Sequence, residues 1–91
     1  MNFGDAINAC IQNKKRSARA GWNGKGMFLA SRPGYPEGVK LDGSTAESLG
    51  RATGETVVFG PYIVIKSADG SVYPWLASQA DMHAEDWVIV L

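Results

Sequence analysis

Apolar residues recur at Phe3, Ala6, Ile7, Cys10 and Ile11, the i, i+3, i+4, i+7, i+8 spacing that lines one face of a helix. Asn2 stands ahead of this run as a cap, and Asp5 falls in the first turn near the positive end of the dipole. The helix is expected to end near Asn13, before the basic Lys14, Lys15 and Arg16. The period then changes to two. Residues 17–22 read as a strand with Ala18, Ala20 and Trp22 on one face and Arg19 on the other. Asn23-Gly24 supplies the tight-turn signal that favours positive φ at both central positions, and residues 27–32 return. Pro33, Gly34, Pro36 and Gly38 break residues 33–55 into a long irregular segment in which only residues 45–49 can form a helical turn. Residues 56–68, rich in Val, Ile, Phe and Tyr, read as the longest strand. Pro61 lacks an amide donor and needs an edge or a bulge there. Asp69-Gly70 gives a second hairpin with residues 71–75 returning. Ser78 and Asp81 form a capping-box pattern opening a short helix, and residues 87–91 close the chain as a strand. The order predicts an α+β domain over residues 1–91: a small antiparallel sheet with an N-terminal helix and a short C-terminal helix.

Composition narrows the function classes. The 91 residues are 45% hydrophobic and 20% charged, with zero net charge. That balance suits one globular domain and disfavours a nucleic-acid coat or a polybasic membrane binder. No apolar run approaches the ~18 residues that span a bilayer, and the N-terminus lacks the pattern of a signal peptide. One cysteine and one histidine exclude an internal disulfide and a His-His metal pair, and suit a reducing cytosol. A core this small favours oligomerisation. Charge is uneven along the chain: residues 1–40 carry +5 and residues 41–91 carry −5. Pairing between the halves and a basic pocket for an anion are both consistent with that split.

Candidate chemistry is sparse in catalytic groups. Cys10 lies on the apolar helix face and reads as core. His83 with Asp86 makes an ordinary helix-surface pair, and Glu85 and Asp86 diverge as neighbours. Gly24-Lys25-Gly26 lacks the Lys-Ser/Thr of a phosphate loop. The aromatic residues say more. Trp22 and Trp75 sit where strands run into loops, with Phe28 and Tyr35 on the loop side. Each could be core, or could stack on a base for about 1–3 kcal/mol. Arg19 and Lys25 could meet phosphate, Arg19 through a two-pronged contact or else in a surface ion pair with the acidic half. Asn23, Ser78, Gln79 and Asp81 could read ribose hydroxyls or base edges. Together these groups suit a nucleotide.

The same residues carry a resemblance. Met1-Asn2-Phe3-Gly4-Asp5-Ala6, Arg19-Ala20-Gly21-Trp22-Asn23-Gly24-Lys25-Gly26-Met27, Pro33-Gly34-Tyr35-Pro36, Pro61-Tyr62-Ile63, Pro74-Trp75, Ser78-Gln79-Ala80-Asp81 and Ala84-Glu85-Asp86-Trp87 resemble, in order, the Thoeris anti-defence 2 family of phage proteins. Gly60, where a basic residue is common, and Met82-His83, where two leucines are common, depart from that pattern. The resemblance implies a sponge that holds cyclic ADP-ribose isomers intact in the cytoplasm of an infected bacterium, without a cofactor. It also implies a homotetramer, some relatives of which take cyclic dinucleotides at a second site. The candidate ligand-binding set is Arg19, Trp22, Asn23, Lys25, Met27, Phe28, Tyr35, Trp75, Ser78, Gln79 and Asp81, with no catalytic or metal-binding residue. A nucleic-acid-binding module and a hydrolase of the same signal are the competing readings.

Overall fold

The first helix forms where the apolar period places it. In the computed structural model, which describes residues 1–91 apart from the side chain of Asn23, α1 spans Phe3–Asn13. The Asn2 side chain accepts from the Asp5 amide at 2.8 Å, and Lys14 closes the helix in the left-handed region. Five strands build the main antiparallel sheet: β1 (Arg16–Arg19), β2 (Phe28–Arg32), β5 (Tyr62–Lys66), β6 (Val72–Pro74) and β7 (Trp87–Val90), in the order β6-β5-β2-β1-β7. Helix α1 covers one face. Its Ala6 and Cys10 form the core with Leu29 of β2 and Trp87 of β7, all essentially inaccessible. Buried Ser17 is satisfied within that core: its hydroxyl lies 2.9 Å from Cys10 Sγ and donates to the Ala6 carbonyl. Cys10 is thus core, as its place on the helix face suggested. Ile11 is not: it is 43% exposed and lines an open groove with Ser31, Pro61, Tyr62 and Ile63.

Three expectations are corrected. The strand expected over residues 17–22 ends at Arg19, and Ala20–Asn23 forms one helical turn, α2. Asn23-Gly24 is therefore not the hairpin turn. Gly24 is right-handed, and positive φ falls instead on Gly26, at +70°. A tight turn would leave the Trp22 indole outside, whereas the helical turn swings it onto Trp87, so apolar packing overrides the local turn preference. Strands β1 and β2 still pair, Ser17 opposite Leu29.

The segment 33–55 is not irregular. It holds β3 (Tyr35–Lys40) and α3 (Gly43–Leu49), and β3 pairs with β4 (Thr56–Phe59) in a separate two-stranded sheet. The third correction follows: residues 56–68 are two strands, β4 and β5, divided at Gly60-Pro61, where proline has no amide to continue a ladder. Arg32 faces Tyr62, and three residues along each strand Tyr35 faces Phe59. The β3-β4 pair therefore starts in the register of the β2-β5 pair, a bulge between Tyr35 and Val39 then shifts it so that Val39 faces Val57, and residues 35–59 form an arm that prolongs the central ribbon. Gly34 makes the neck possible. Its φ is +67°, and a Cβ there would run into the carbonyl oxygens of Phe59 and Gly60. Asp42 caps α3 by accepting from the Thr45 amide at 2.7 Å.

The C-terminal signals hold. Gly70 at φ +92° turns the β5-β6 hairpin, closed by Ser67 donating to the Ser71 carbonyl at 2.7 Å. Ser78 opens α4 (Gln79–His83) with a complete capping box. Among the described residues no helix is long and apolar enough to cross a membrane.

Candidate functional site

One end of the main sheet gathers most of the candidate residues. There β1 passes into α2, β6 into the segment before α4, and β7 begins. Trp87 is the hub. It is buried, and its indole Nε1 donates to the Asp81 carbonyl at 3.0 Å. Trp22 meets it edge to face at 5.3 Å between ring centroids, Trp75 at 6.1 Å, and Phe3 lies tilted at 5.8 Å. Trp22 and Trp75 also meet each other edge to face at 6.4 Å. Both are half-buried and pack on the core cluster. Each indole is therefore fixed on one side by core contacts and keeps part of its surface accessible.

Arg19 stands beside this cluster. Its Nε donates to Asp86 at 3.0 Å and its Nη1 to Asp81 at 3.2 Å. These two carboxylates, Asp86 foremost, raise the affinity of the guanidinium for its proton. Burial pushes the Asp81 carboxyl upward, but hydrogen bonds from the Ser78 amide and hydroxyl, with Arg19, outweigh it and hold the group below the usual carboxylate range. Ser78 and Asp81 each accept from the other's amide, at 3.0 and 3.1 Å. Two of the five guanidinium donors are engaged, and one cation between two carboxylates leaves a net negative charge. Between its two foreseen roles, Arg19 is in the ion pair with the acidic half of the chain.

The remaining candidates divide. Gln79 opens α4 and is exposed; its carbonyl lies 2.9 Å from His83 Nδ1. Lys25, exposed, and Met27, half-buried, follow α2 directly. The Asn23 side chain lies outside the described residues. Phe28 and Tyr35 stand apart from the tryptophans within one chain. Phe28 is on the sheet face away from α1, with the Arg16 guanidinium 5.1 Å and Lys66 Nζ 5.8 Å from its ring centroid. Tyr35 is on the arm, edge to face with Phe59 at 6.2 Å. There it helps line a groove of about 230 Å³ with Val39, Leu41, Thr45 and Phe59.

Sequence reasoning passed over Asp86 and Trp87 as site members. From the sequence Asp86 reads as a helix-surface partner of His83 or a neighbour of Glu85, but α4 ends at His83 with Ala84 extended, and the partner of Asp86 is Arg19, sixty-seven positions away. Among the described residues no group of three His, Cys, Asp or Glu side chains is arranged to hold a metal.

Comparison with known proteins agrees with this arrangement of motifs. A family model described as the Thoeris anti-defense 2-like domain matches residues 1–90. A curated protein of Bacillus phage SP01, Thoeris anti-defense 2, is 40% identical over 93 residues, covering 99% of this chain and 94% of its own length.

Proposed function

The chain belongs to the Thoeris anti-defense 2-like family, and from that membership we propose that it binds a cyclic ADP-ribose-type nucleotide signal and holds it without cleaving it. The signal then never reaches the effector it would activate. The work takes place in the cytoplasm of the infected bacterium, in a homotetramer, and a second site for cyclic dinucleotides belongs to the same reading.

One observation supports this most directly. Trp22 and Trp75 present fixed, half-exposed indoles beside an ordered set of polar groups, Arg19, Ser78 and Asp81. Trp87 and α1 hold the rings, so little side-chain entropy is lost when a base stacks on them. Asp81 and Asp86 suit donor hydroxyls of a ribose. The guanidinium donors left over on Arg19, with Lys25, suit phosphate.

Magnitudes show why both kinds of contact are needed. Sequestration at nanomolar signal requires about −12 kcal/mol. Two stacked faces supply roughly 1–3 kcal/mol each, so hydrogen bonds to the charged phosphates must add about 1.5–3 kcal/mol apiece.

The test is calorimetric titration with cyclic ADP-ribose isomers, followed by denaturation and analysis of the released nucleotide. Intact nucleotide recovered after tight binding is the expected result. A cleaved product makes the protein a hydrolase, and salt-sensitive binding of DNA or RNA in place of the nucleotide makes it a nucleic-acid module. Trp22→Ala in a folded protein should weaken binding by about 1–3 kcal/mol; unchanged affinity removes Trp22 from the site.

A further inference from the structure

Asp81 and Asp86 hold Arg19 unequally. The Asp81 side chain is 14% exposed and that of Asp86 46%. Asp81 is fixed from several sides. Its second carboxylate oxygen accepts from the Ser78 amide at 3.1 Å, its own amide donates to the Ser78 hydroxyl, and its carbonyl accepts from the Trp87 indole. The Asp86 side chain makes one hydrogen bond among the described residues, the 3.0 Å contact from Arg19 Nε. Its backbone is pinned, with the carbonyl accepting from the Ala20 amide at 3.0 Å. The residue therefore stays in place while its carboxylate can turn away.

The bond to Nε matters for a phosphate. A guanidinium grips an oxyanion most firmly with two parallel N–H groups along one edge. One such edge is Nε with Nη2, the other Nη1 with Nη2. Nε carries a single hydrogen, and Asp86 holds it. Nη1 is bonded to Asp81. A phosphate gains the Nε edge only when Asp86 leaves, and Asp86 is the carboxylate with nothing else to hold it.

We infer, on the nucleotide reading of this site, that Asp86 is a displaceable counter-ion that selects ligands by the charge on their phosphates. The incoming phosphate takes Arg19 Nε, and the Asp86 carboxylate turns toward solvent but stays nearby. A phosphate bridged on both sides carries one negative charge and tolerates that neighbour. A terminal phosphate carries close to two at neutral pH and is disfavoured. One further unit of charge about 6 Å from a carboxylate at a protein surface shifts an equilibrium by about tenfold. The site then favours a cyclic nucleotide with every phosphate bridged over AMP, ADP and ATP. Those three offer the same adenine face to Trp22 and Trp75, so stacking alone does not reject them.

Calorimetric titration of the full chain with a cyclic ADP-ribose isomer and with AMP tests this. The wild type should prefer the cyclic nucleotide, and the preference should shrink with added salt, which screens exposed charges. Asp86→Asn keeps the size of the side chain and an oxygen for Nε but removes the charge. AMP should then bind about tenfold more tightly, and the cyclic nucleotide no more than about threefold more tightly. Asp86→Ala should act in the same direction, and Asp86→Glu, which retains the charge, should retain the wild-type preference. Thermal melts establish that each variant is folded. An unchanged ratio of the two affinities in Asp86→Asn overturns the inference. Weaker binding of both nucleotides overturns it too, and makes Asp86 a direct ligand contact. A wild type that binds neither nucleotide overturns the proposed function and takes this inference with it.

Discussion

Strands β2 and β5 continue through the neck into β3 and β4, so one antiparallel ribbon serves two regions held by different forces. In the body, the ribbon lies under α1, and Leu29 packs against Cys10, Ala6 and Trp87. In the arm, among the described residues, neither α1, α2 nor α4 packs extensively on β3 or β4, and order comes from local devices. These are the Asp42 cap, left-handed glycines at positions 38, 50 and 54, and an Arg51–Glu55 ion pair at 2.7 Å. The contrast teaches that strand pairing alone does not set stability. Apolar volume excluded from water does so for the body, while backbone chemistry shapes the arm and leaves its apolar side open.

The largest expected effect separates the regions directly. Trp87→Ala should cost about 3–5 kcal/mol, a large share of the total stability of a small domain. Phe59→Ala, removing a half-buried ring from the arm, should cost about 1–2 kcal/mol. Urea unfolding reads both, and equal losses would erase the distinction.

The neck comes next. Gly34→Ala forces a side chain into the backbone carbonyls of Phe59 and Gly60 at positive φ, and about 2–4 kcal/mol is expected from strain and steric overlap together. Gly54→Ala also sits at positive φ but meets open space, so only the conformational cost of about 1–2 kcal/mol applies. A Gly34→Ala variant no worse than Gly54→Ala in thermal melts would show that the neck is not tight.

Caps give a matched pair. Ser78→Ala in the body and Asp42→Ala in the arm should each cost about 1 kcal/mol at the helix they open. Their reach should differ. Amide exchange should rise only within residues 35–59 for Asp42→Ala, but across α4, β7 and the Trp87 indole for Ser78→Ala, since α4 carries Asp81 onto Trp87.

The smallest expected effect is the pH dependence. Asp81 in the body is held below its ordinary value against the opposing effect of burial. Asp42 in the arm is held low by the Thr45 amide, and Glu55 by Arg51. A carboxylate depressed in the folded state contributes stability that is present above its unfolded value near 4 and is lost as pH falls through the folded value. Both regions should therefore weaken on acidification below about pH 4. Asp81→Asn should flatten the acid limb of body unfolding while leaving arm exchange unaltered. An unaltered acid limb would mean that Asp81 contributes nothing through its charge.

Features that depend on neighbours along the chain are legible in the residues themselves. The α1 face, the Asn2 and Ser78 caps, the Asp69-Gly70 turn and the α+β class follow from period, capping chemistry and positive φ within a few residues. The long motifs from Arg19 to Met27 and from Ala84 to Trp87 carried the family. Tertiary structure alone decided the rest. The helical turn at Ala20–Asn23 exists because Trp22 gains more against Trp87 than a tight turn at Asn23-Gly24 would supply. The division of residues 56–68 depends on which partner each half meets, β3 or β2, and strand propensity is the same for both. Arg19 had a phosphate and an ion pair open to it, and only the approach of α4 and β7 placed Asp81 and Asp86 within 3.2 Å. Contacts across more than sixty positions are set by how apolar faces are buried together, and local residue chemistry does not encode that choice.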